Sequence, residues 1–433
     1  RADAFAALTR AHSASAAWRQ TSFSARARLL RAVARALRRD RDKLAGLITA
    51  EMGKPIAQSR AEIEKCALAC DYCASQAARF LAAEIPPGAP AGSRVLFEPL
   101  GPILAIMPWN FPFWQAFRAA APALMAGNPM LLKPAPITAG CGRAIEKLFR
   151  TAGAPAGLFQ SLLIETDLVP ALIADARIAA VTLTGSTRAG KSVAAAAGAA
   201  MKPGVFELGG SDAYLILADA DLDRAAEICA QSRLLNSGQS CIAAKRFIVV
   251  RRVRREFERR LVARMAAQRV GDPLDAATDV GPLARADLRD HLDAQVKRSV
   301  RLGARILLGG RPLPGPGFFY PPSVLTDIRR GMPAADEELF GPVAAVIPVR
   351  DEAEAIAVAN DSDYGLGAAV FTRNRRRAHR VAADLAAGCV AINDFVRSDP
   401  ALPFGGVKQS GYGRELAAWG LRSFVNIKTI AGW

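Results

Sequence analysis

The feature that most constrains the fold of this chain is an alternation of short apolar segments and helical segments in the residues that precede Glu207. The apolar segments are "ILAIM" at 103–107, "PMLLKPA" at 129–135 and "IAAVTLTG" at 178–185, and a helical pattern follows each of them. Strands that are apolar along their whole length are typical of a parallel sheet covered by helices. A second series of the same kind begins after Glu207 with "YLILADA". We therefore predict an α/β protein with two lobes that meet near residue 207.

The segment before this alternation, residues 24–85, is predicted to be helical because its apolar residues recur at helical intervals. A break between helices is expected at Gly53, ahead of Pro55. Prolines and glycines then interrupt the periodicity, and "RVLFEPL" at 94–100 has the composition of a short strand.

The chain is strongly basic, with 57 lysines and arginines against 40 aspartates and glutamates and a formal net charge of +17. Such a charge raises the alternative of a nucleic-acid-binding surface. However, the basic stretches at 35–43, 251–260 and 373–380 are interleaved with acids or follow helical spacing, and none alternates basic with aromatic residues. We therefore expect solvated helix faces and no nucleic-acid partner.

Cysteine usage and the lack of apolar segments long enough to span a membrane favour a cytoplasmic protein. The seven cysteines form no secretory framework. No apolar run reaches the roughly 18 residues that a spanning helix needs, so no membrane association is expected. The sequence lacks both an initiator Met and a signal-peptide pattern, and we interpret it as beginning inside the natural chain. Cys66, Cys70 and Cys73 share one helical face, where core packing is favoured and no metal site is expected.

A glycine-containing turn, "TGSTRAG" at 184–190, directly follows one predicted strand. Gly185 and Gly190 would let backbone N–H groups approach a dinucleotide pyrophosphate at a helix N-terminus. A turn with only a packing role fits the same residues, and the spacing alone leaves both alternatives open.

Two residues have the chemistry of an acyl-transfer site. Cys241, in "NSGQSCIAAKRF" at 236–247, lies in a small, polar, turn-prone segment where a thiol could be reached as a nucleophile. Glu207, in "FELGGSD", is flanked by apolar residues and glycines, so its pKa could be raised towards that of a general base. A structural cysteine and a hinge or capping glutamate remain the alternatives for these two residues.

Seven motifs together resemble the aldehyde dehydrogenase superfamily, and they occur in that family's order and at its spacings over essentially the whole chain. They are "PWNFP" at 108–112, "LLKPAP" at 131–136, "TGSTRAG" at 184–190, "ELGG" at 207–210, "GQSC" at 238–241, "EELFGP" at 337–342 and "PFGGVKQSGYGRE" at 403–415. The finer sequence is most similar to bacterial succinate-semialdehyde dehydrogenases. The resemblance implies an NAD(P)-dependent enzyme that oxidises an aldehyde to a carboxylic acid.

The resemblance also implies the roles of three catalytic residues. Cys241 would attack the aldehyde carbon, and the Asn110 amide with the Cys241 backbone N–H would form the oxyanion hole. Hydride transfer would leave a thioester on Cys241, and Glu207 would activate the water that hydrolyses it. The presence of Glu207 disfavours a CoA-acylating reaction.

A larger set of positions matches the family's cofactor site, and the set comprises Trp109, Lys133, Pro136, Gly185, Ser186, Gly190, Leu208, Glu338 and Phe340. NAD-selective members usually carry a glutamate three residues after the ribose lysine, where this chain has Pro136. Because no carboxylate repels a 2′-phosphate there, either NAD or NADP is expected as the cofactor.

Three positions match the substrate site of succinate-semialdehyde dehydrogenases. Arg118 stands at the place of their carboxylate-binding arginine, Ser398 at that of their hydroxyl donor, and Phe404 at that of an aromatic residue in the substrate funnel. A second arginine of some members is Leu235 here. A broad-specificity aldehyde dehydrogenase is the alternative, and a nucleic-acid-binding protein on an enzyme scaffold is a more distant one.

By resemblance, the fold is a Rossmann-type cofactor lobe, an α/β catalytic lobe and a small β oligomerisation arm. The expected boundaries are 1–87 with 101–206 for the cofactor lobe, 207–412 for the catalytic lobe, and 88–100 with 413–433 for the arm. Members of this family commonly form dimers or dimers of dimers, so the resemblance implies a homodimer or homotetramer.

Overall fold

The apolar segments before Glu207 form most of a six-stranded sheet. The computed structural model describes residues 1–432. The elements up to Glu207 are, in chain order, α1 (Ala2–Trp18), α2 (Phe23–Arg39), α3 (Arg41–Met52), α4 (Ile56–Phe80), β1 (Arg94–Pro99), β2 (Ile103–Ile106), α5 (Trp114–Ala126), β3 (Met130–Lys133), α6 (Ala139–Thr151), β4 (Phe159–Ser161), α7 (Val169–Ala174), β5 (Ala180–Thr184), α8 (Thr187–Ala199) and β6 (Gly204–Glu207).

The elements after Glu207 build a second sheet and close the chain. They are β7 (Asp212–Ile216), α9 (Leu222–Leu234), β8 (Ala244–Val250), α10 (Arg251–Ala266), α11 (Ala286–Arg301), β9 (Arg305–Leu308), β10 (Ser323–Thr326), α12 (Pro333–Asp336), β11 (Val343–Val349), α13 (Glu352–Asn360), β12 (Tyr364–Gly365), β13 (Gly367–Phe371), α14 (Arg375–Asp384), β14 (Cys389–Ile392), β15 (Val407–Lys408), β16 (Gly411–Tyr412), α15 (Ala417–Arg422) and β17 (Val425–Ile430).

The first sheet has the order β16-β6-β5-β2-β3-β4, and all of its strands are parallel except the edge strand β16. The chain runs from β2 outwards through β3 to β4, then crosses back to β5 on the other side of β2. The order of connection therefore reverses between β2 and β5. In open parallel sheets, ligands bind at the carboxyl ends of the strands where such a reversal occurs.

The second sheet has the order β14-β13-β7-β8-β11-β10-β9, and only the edge strand β9 is antiparallel to its neighbour. Apolar side chains on both faces of this sheet are buried against helices, in two core clusters. The predicted α/β class is confirmed, and β6, which ends at Glu207, is followed in the chain by β7 of the second sheet.

A two-stranded arm consists of β1 and β17, which pair in antiparallel register from Arg94 opposite Ile430 to Pro99 opposite Val425. The outer part of β17 is exposed, including Ile427. β16, which we expected in the second lobe, instead adds an edge strand to the first sheet by pairing with β6. No helix in residues 1–432 is both long and apolar enough to cross a bilayer.

A buried ion pair positions the start of α5, the helix that follows "PWNFP". Lys54 pairs with Glu62 of α4, and neither side chain is more than 2% exposed. Glu62 Oε1 also accepts the backbone N–H groups of Phe113 at 2.9 Å and Trp114 at 3.0 Å. A carboxylate at a helix N-terminus satisfies N–H groups that have no partner within the helix. The Lys54 ammonium also lies 3.7 Å from the centre of the Phe111 ring.

Candidate active site

Cys241 lies in a loop between α9 and β8 with an unusual backbone conformation. The loop contains a 3₁₀ turn at Leu235–Gly238, in which Asn236 and Ser237 have positive φ angles of 55° and 53°. Asparagine tolerates a positive φ angle because its short polar side chain can form a hydrogen bond with the nearby backbone. The Asn236 side chain does so, by donating to the backbone oxygen of Gln239 at 3.0 Å.

This loop is tied to Asn110, which follows β2 in the first lobe. Asn236 Nδ2 donates to the backbone oxygen of Asn110 at 2.8 Å, and Asn110 Nδ2 donates to the backbone oxygen of Gln239 at 3.1 Å. A primary amide carries two N–H donors, so one donor of Asn110 remains for a ligand. Asn110 and Cys241 line the same cavity.

A buried lysine fixes the backbone of Cys241. Lys245 Nζ donates to the backbone oxygens of Cys241 at 2.7 Å and Ser240 at 3.0 Å. The same ammonium lies 3.6 Å from Glu338 Oε1. Because these partners hold the lysine, the loop that carries the thiol is anchored at its carboxyl end.

The thiol itself is in a low-polarity environment. Burial raises the pKa of Cys241 to about 12, and the cationic groups of Arg118 and Lys245 oppose this shift. The thiol is therefore almost entirely protonated at neutral pH in the free protein.

A first cavity of about 490 Å³ opens on one side of Cys241. It lies at the reversal point of the first sheet, since its walls include residues 108–110 after β2 and residues 184–188 after β5. Its other lining residues are Leu208, Gly209, Leu288, His291, Gln295, Glu337, Glu338, Phe340 and Tyr364. The N-terminus of α8 faces this space, where backbone N–H groups can bind an anion.

Glycine is required where α8 packs against the first sheet. A Cβ at Gly190 would lie 2.3 Å from Leu208 Cδ2, too close for any side chain without a shift of Leu208. Ser186 caps the helix by accepting the N–H of Ala189 at 3.3 Å, while Gly185 precedes this cap and lines the cavity. These residues bring the backbone of the turn close to the cavity, as a dinucleotide phosphate site needs.

On the wall of the first cavity nearest Cys241, Glu338 and Phe340 face Trp109. The Phe340 and Trp109 rings meet edge to face with centroids 5.8 Å apart. Glu338 Oε1 accepts the backbone N–H of Gly210 at 3.0 Å. Burial raises the pKa of Glu338, and Lys245 opposes that shift.

Lys133 and Pro136 lie at the carboxyl end of β3, one strand beyond β2. Lys133 is buried, and its Nζ donates to the backbone oxygen of Pro134 at 3.3 Å. Burial lowers the pKa of Lys133. Pro136 begins a 3₁₀ turn that leads into α6. Neither residue is among those that line the cavity beside Cys241.

A second cavity of about 440 Å³ opens on the other side of Cys241, with walls from both lobes. Its first-lobe residues are Gln58, Ala61, Glu62, Lys65, Leu68, Phe111, Trp114, Gln115 and Arg118, and its later residues include Leu235, Ser240, Ile242, Phe395, Val396, Arg397, Ser398, Asp399, Pro400 and Phe404. All three expected substrate residues, Arg118, Ser398 and Phe404, thus lie in its wall. Within residues 1–432, Cys241 is the one residue shared by the two cavities.

Arg118 is engaged with other groups of the protein. Its guanidinium forms a buried ion pair with Glu415, donates to Thr184 Oγ1 at 3.2 Å, and lies 4.8 Å from the centre of the Phe404 ring. Glu415 belongs to the quoted motif "PFGGVKQSGYGRE", yet the sequence suggested no role for it. The positive charge of Arg118 is therefore balanced inside the protein.

Glu207 lies at the end of β6, close to this ion pair. It is buried, and neither of its carboxylate oxygens has a hydrogen-bond partner in the described residues. Burial raises the pKa of Glu207 well above its ordinary value, and the negative charge of Glu415 raises it further, while Arg118 opposes the shift. It does not line either cavity directly.

Lys65, which lies on α4 in the wall of the second cavity, was not among the residues predicted from the sequence. Its Nζ donates to Ser398 Oγ at 2.7 Å and lies 4.3 Å from the centre of the Trp114 ring. Trp114 Nε1 donates to the same hydroxyl at 3.1 Å. The only sequence signal was a lysine directly before the apolar run "CALAC" at 66–70, which is too common to be informative.

Comparison with known proteins assigns the chain to one family. The sequence model described as the aldehyde dehydrogenase family matches residues 1–430. A protein of Escherichia coli strain K12 named succinate semialdehyde dehydrogenase, of the NAD(P)+ type, is 47% identical over 413 residues, which are 95% of this chain and 89% of the relative. A protein of Mycobacterium tuberculosis strain H37Rv named succinate-semialdehyde dehydrogenase 1, of the NADP(+) type, is 49% identical over 428 residues, which are 98% and 94% of the two chains.

Solved structures agree with these sequence matches. The crystal structure of succinic semialdehyde dehydrogenase from Streptococcus pyogenes in complex with NADP+ superposes with a TM-score of 0.95 and 41% identity. The match covers 98% of this chain and 93% of that one.

Proposed function

The chain belongs to the aldehyde dehydrogenase family, and from this membership we propose that it oxidises succinate semialdehyde to succinate, with NAD or NADP as the electron acceptor. The observation that carries the proposal is the position of Cys241, whose thiol lies between a cavity at the reversal point of a parallel sheet and a second cavity lined by Lys65 and Arg118. Relatives named for this substrate cover nearly the whole chain.

In the proposed mechanism, the Cys241 thiol loses its proton to solvent, and the resulting thiolate attacks the aldehyde carbon while the carbonyl π electrons move to the oxygen. The second cavity delivers the aldehyde to Sγ, and the negative charge that develops on the carbonyl oxygen needs donors beside the thiol. The free N–H of Asn110 and the backbone N–H of Cys241 supply them. One such donor typically contributes ~3 kcal/mol to transition-state stabilisation.

Glu207 is proposed as the base for hydrolysis of the thioester that oxidation leaves on Cys241. A carboxyl group with a raised pKa is a stronger base, once deprotonated, than an exposed glutamate. The water it activates loses a proton to Glu207 and attacks the acyl carbon, and the C–S bond breaks to release the acid. The two unpartnered oxygens of Glu207 are consistent with a group that binds a water molecule during the reaction.

The first cavity fits a nicotinamide dinucleotide. Its size, the exposed N-terminus of α8 and the glycine that packs against Leu208 provide room and N–H donors for a pyrophosphate. A dinucleotide bound there would supply the hydride acceptor for the oxidation. Trp109, Gly185 and Ser186 would surround the phosphates, while Glu338 and Phe340 would orient the nicotinamide end.

We propose that the adenosine end lies near Lys133 and Pro136. Lys133 would bond the ribose, and Pro136 leaves that place without a carboxylate, so a 2′-phosphate meets no repulsion there. The NADP(+) designation of the mycobacterial relative supports acceptance of NADP.

For the substrate site, we propose that Arg118 and Ser398 provide the polar groups that bind the distal carboxylate, with Phe404 packing beside the aldehyde chain. All three line the second cavity. The charge of Arg118 is shared with Glu415, so its contribution is a partial one.

We further propose a homodimer or homotetramer located in the cytoplasm. The two-stranded arm of β1 and β17 exposes Ile427, and α15 beside it exposes Trp419, which suits an interface with another subunit. All seven cysteines are free thiols, as expected in a reducing compartment.

Steady-state kinetics with succinate semialdehyde and butanal, each with NAD and NADP, test the proposal. The kcat/KM for succinate semialdehyde should exceed that for butanal by roughly 10-fold or more. Butanal has no distal carboxylate, so the polar and charged side chains of the second cavity would remain unpaired when it binds. Equal values would instead indicate a broad-specificity aldehyde dehydrogenase.

Two variants test the mechanism within the same assay. Cys241→Ala should abolish NAD(P)H formation, whereas Glu207→Gln should produce one equivalent of NAD(P)H per site and then stop. Unchanged turnover in either variant, with an unchanged melting temperature, would contradict the assigned role.

A further inference from the structure

Lys65 places an ammonium group in the second cavity, at some depth below the surface. Its side chain extends from α4 to the face of the Trp114 ring, and Trp114 is only 3% exposed. A cation beside an aromatic face is held in position by the ring quadrupole. The ammonium thus has a fixed location in a cavity wall, unlike a lysine on an open surface.

Most other charges around this cavity are already paired. Arg118 pairs with Glu415, and Arg397 pairs with Asp394 at 2.7 Å. No carboxylate in residues 1–432 forms an ion pair with Lys65, whose single hydrogen-bond partner is a hydroxyl. The cavity wall therefore has a cation whose counter-charge the described protein does not supply.

Glu62 and Asp399 are the remaining carboxylates in the wall, and neither neutralises this cation. Glu62 is engaged by Lys54 and by two backbone N–H groups at the start of α5. Asp399 is exposed, and its Oδ1 accepts the N–H of Ala401 at 2.8 Å. An anionic ligand would thus add the first close counter-charge of Lys65.

The geometry at Ser398 indicates where such a ligand would bind. A hydroxyl oxygen has two lone pairs and one proton. Both lone pairs of Ser398 Oγ are used, one by Lys65 Nζ at 2.7 Å and the other by Trp114 Nε1 at 3.1 Å. The Ser398 proton is left to donate, and no protein acceptor for it is present in the described residues. Lys65 and Ser398 therefore present two donors side by side.

We propose that the Lys65 ammonium and the Ser398 hydroxyl form the subsite that binds the distal carboxylate of the aldehyde, which makes Lys65 a specificity-determining residue. A carboxylate accepts one hydrogen bond at each oxygen from such a pair of donors. The inference rests on the proposed function and deepens it. The positive charge of Lys65 has no carboxylate partner in the described residues, whereas that of Arg118 is balanced by Glu415. The second cavity would therefore accept ω-carboxy aldehydes as a class.

The kinetic test compares Lys65→Met with the parent enzyme. Methionine keeps the length of the apolar stem and removes the charge. The ratio of kcat/KM for succinate semialdehyde to that for butanal should fall by on the order of 10- to 100-fold, and Lys65→Arg should restore a large part of it. Lys43→Met, an exposed lysine on α3 outside both cavities, is the matched control and should leave the ratio unchanged.

Succinate binding to the free enzyme gives a readout that does not depend on turnover. Titration calorimetry with succinate should show at least a roughly 10-fold weaker affinity for Lys65→Met than for the parent. Equal affinities, with melting temperatures that agree, would overturn the inference. A parent enzyme that does not prefer succinate semialdehyde over butanal would overturn the proposed function instead, so the two failures are distinguishable.

A pH profile separates a charge role from a merely structural one. Burial and the neighbouring charge of Arg118 lower the pKa of Lys65 to about 8, while Cys66, Glu62 and Asp399 oppose the shift. Because an amine is cationic below its pKa, the preference of the parent for succinate semialdehyde should decline from pH 7 to pH 9. A preference that stays constant over this range in the parent would overturn the inference.

Discussion

Raising the pH of the free enzyme should accelerate alkylation of Cys241 by iodoacetamide without a plateau below pH 10. Burial raises the pKa of this thiol to about 12, so about one molecule in 10⁴ carries a thiolate at pH 8. A thiol with an ordinary pKa of about 8.5 is roughly one quarter ionised at that pH. The two thiolate populations therefore differ by on the order of 10³-fold.

The rate should differ by less than the population of thiolate. Thiolates with a higher pKa are intrinsically better nucleophiles, and a Brønsted coefficient of about 0.45 over about 3.5 pH units recovers roughly 40-fold. Cys241 should then react about 50- to 100-fold more slowly at pH 8 than a cysteine in an unstructured peptide with a thiol pKa of about 8.5. Its rate should rise about tenfold for each pH unit between pH 7 and pH 10.

The assay is a timed reaction with iodoacetamide, followed by digestion and mass spectrometry of the peptide that contains Cys241. This readout separates Cys241 from Cys389, which is the other partly exposed cysteine. Cys241→Ser, which lacks the thiol, sets the background. A plateau below pH 10, or a rate equal to that of a cysteine in such a peptide at pH 8, would refute the argument that burial dominates the thiol in the free protein.

Two further substitutions test the support of the site and its cofactor preference. Lys54→Met leaves the buried Glu62 without its cation, which should lower the free energy of unfolding in urea by about 3–5 kcal/mol. The double variant Lys54→Met with Glu62→Gln should recover part of this loss. An unchanged unfolding midpoint for Lys54→Met would show that the ion pair does not stabilise the protein. Pro136→Glu introduces a carboxylate at the expected place of the 2′-phosphate, so the ratio of kcat/KM for NADP to that for NAD should fall by roughly 10-fold. The same ratio in the variant and the parent would place the 2′-phosphate elsewhere.

The buried strands were the most predictable part of the fold. Ile103–Ile106, Ala180–Thr184 and Val343–Val349 are strands where continuous apolar runs predicted them, because a parallel sheet buries both of its faces. The two-residue strand Gly411–Tyr412 had no such signal. It is a strand only because the edge of the first sheet is beside it, at β6.

The candidate site was predictable where a residue matches a position to which the resembling family gives a role. Cys241 and Asn110 are each in such a motif, and the structure brings them into one cavity. Lys65 and Glu415 come from α4 and from the C-terminal region, so tertiary packing alone brings them beside Arg118 and Ser398. The ion pair that balances Arg118 is likewise visible only in three dimensions.

Because the two cavities share only the Cys241 thiol, substitutions can change the preference for the cofactor and the preference for the aldehyde largely independently. The walls of the proposed cofactor cavity and of the proposed aldehyde cavity have no other residue in common in the described chain. A substitution at a residue that does not contact the opposite wall should therefore act mainly on one ligand, because effects at separate, non-contacting sites combine almost additively. Arg118 and Thr184, which are hydrogen-bonded to each other across the two walls, are an exception. Cofactor choice can drift in a lineage while aldehyde choice is conserved, or the reverse, provided that Cys241 stays where the two spaces meet.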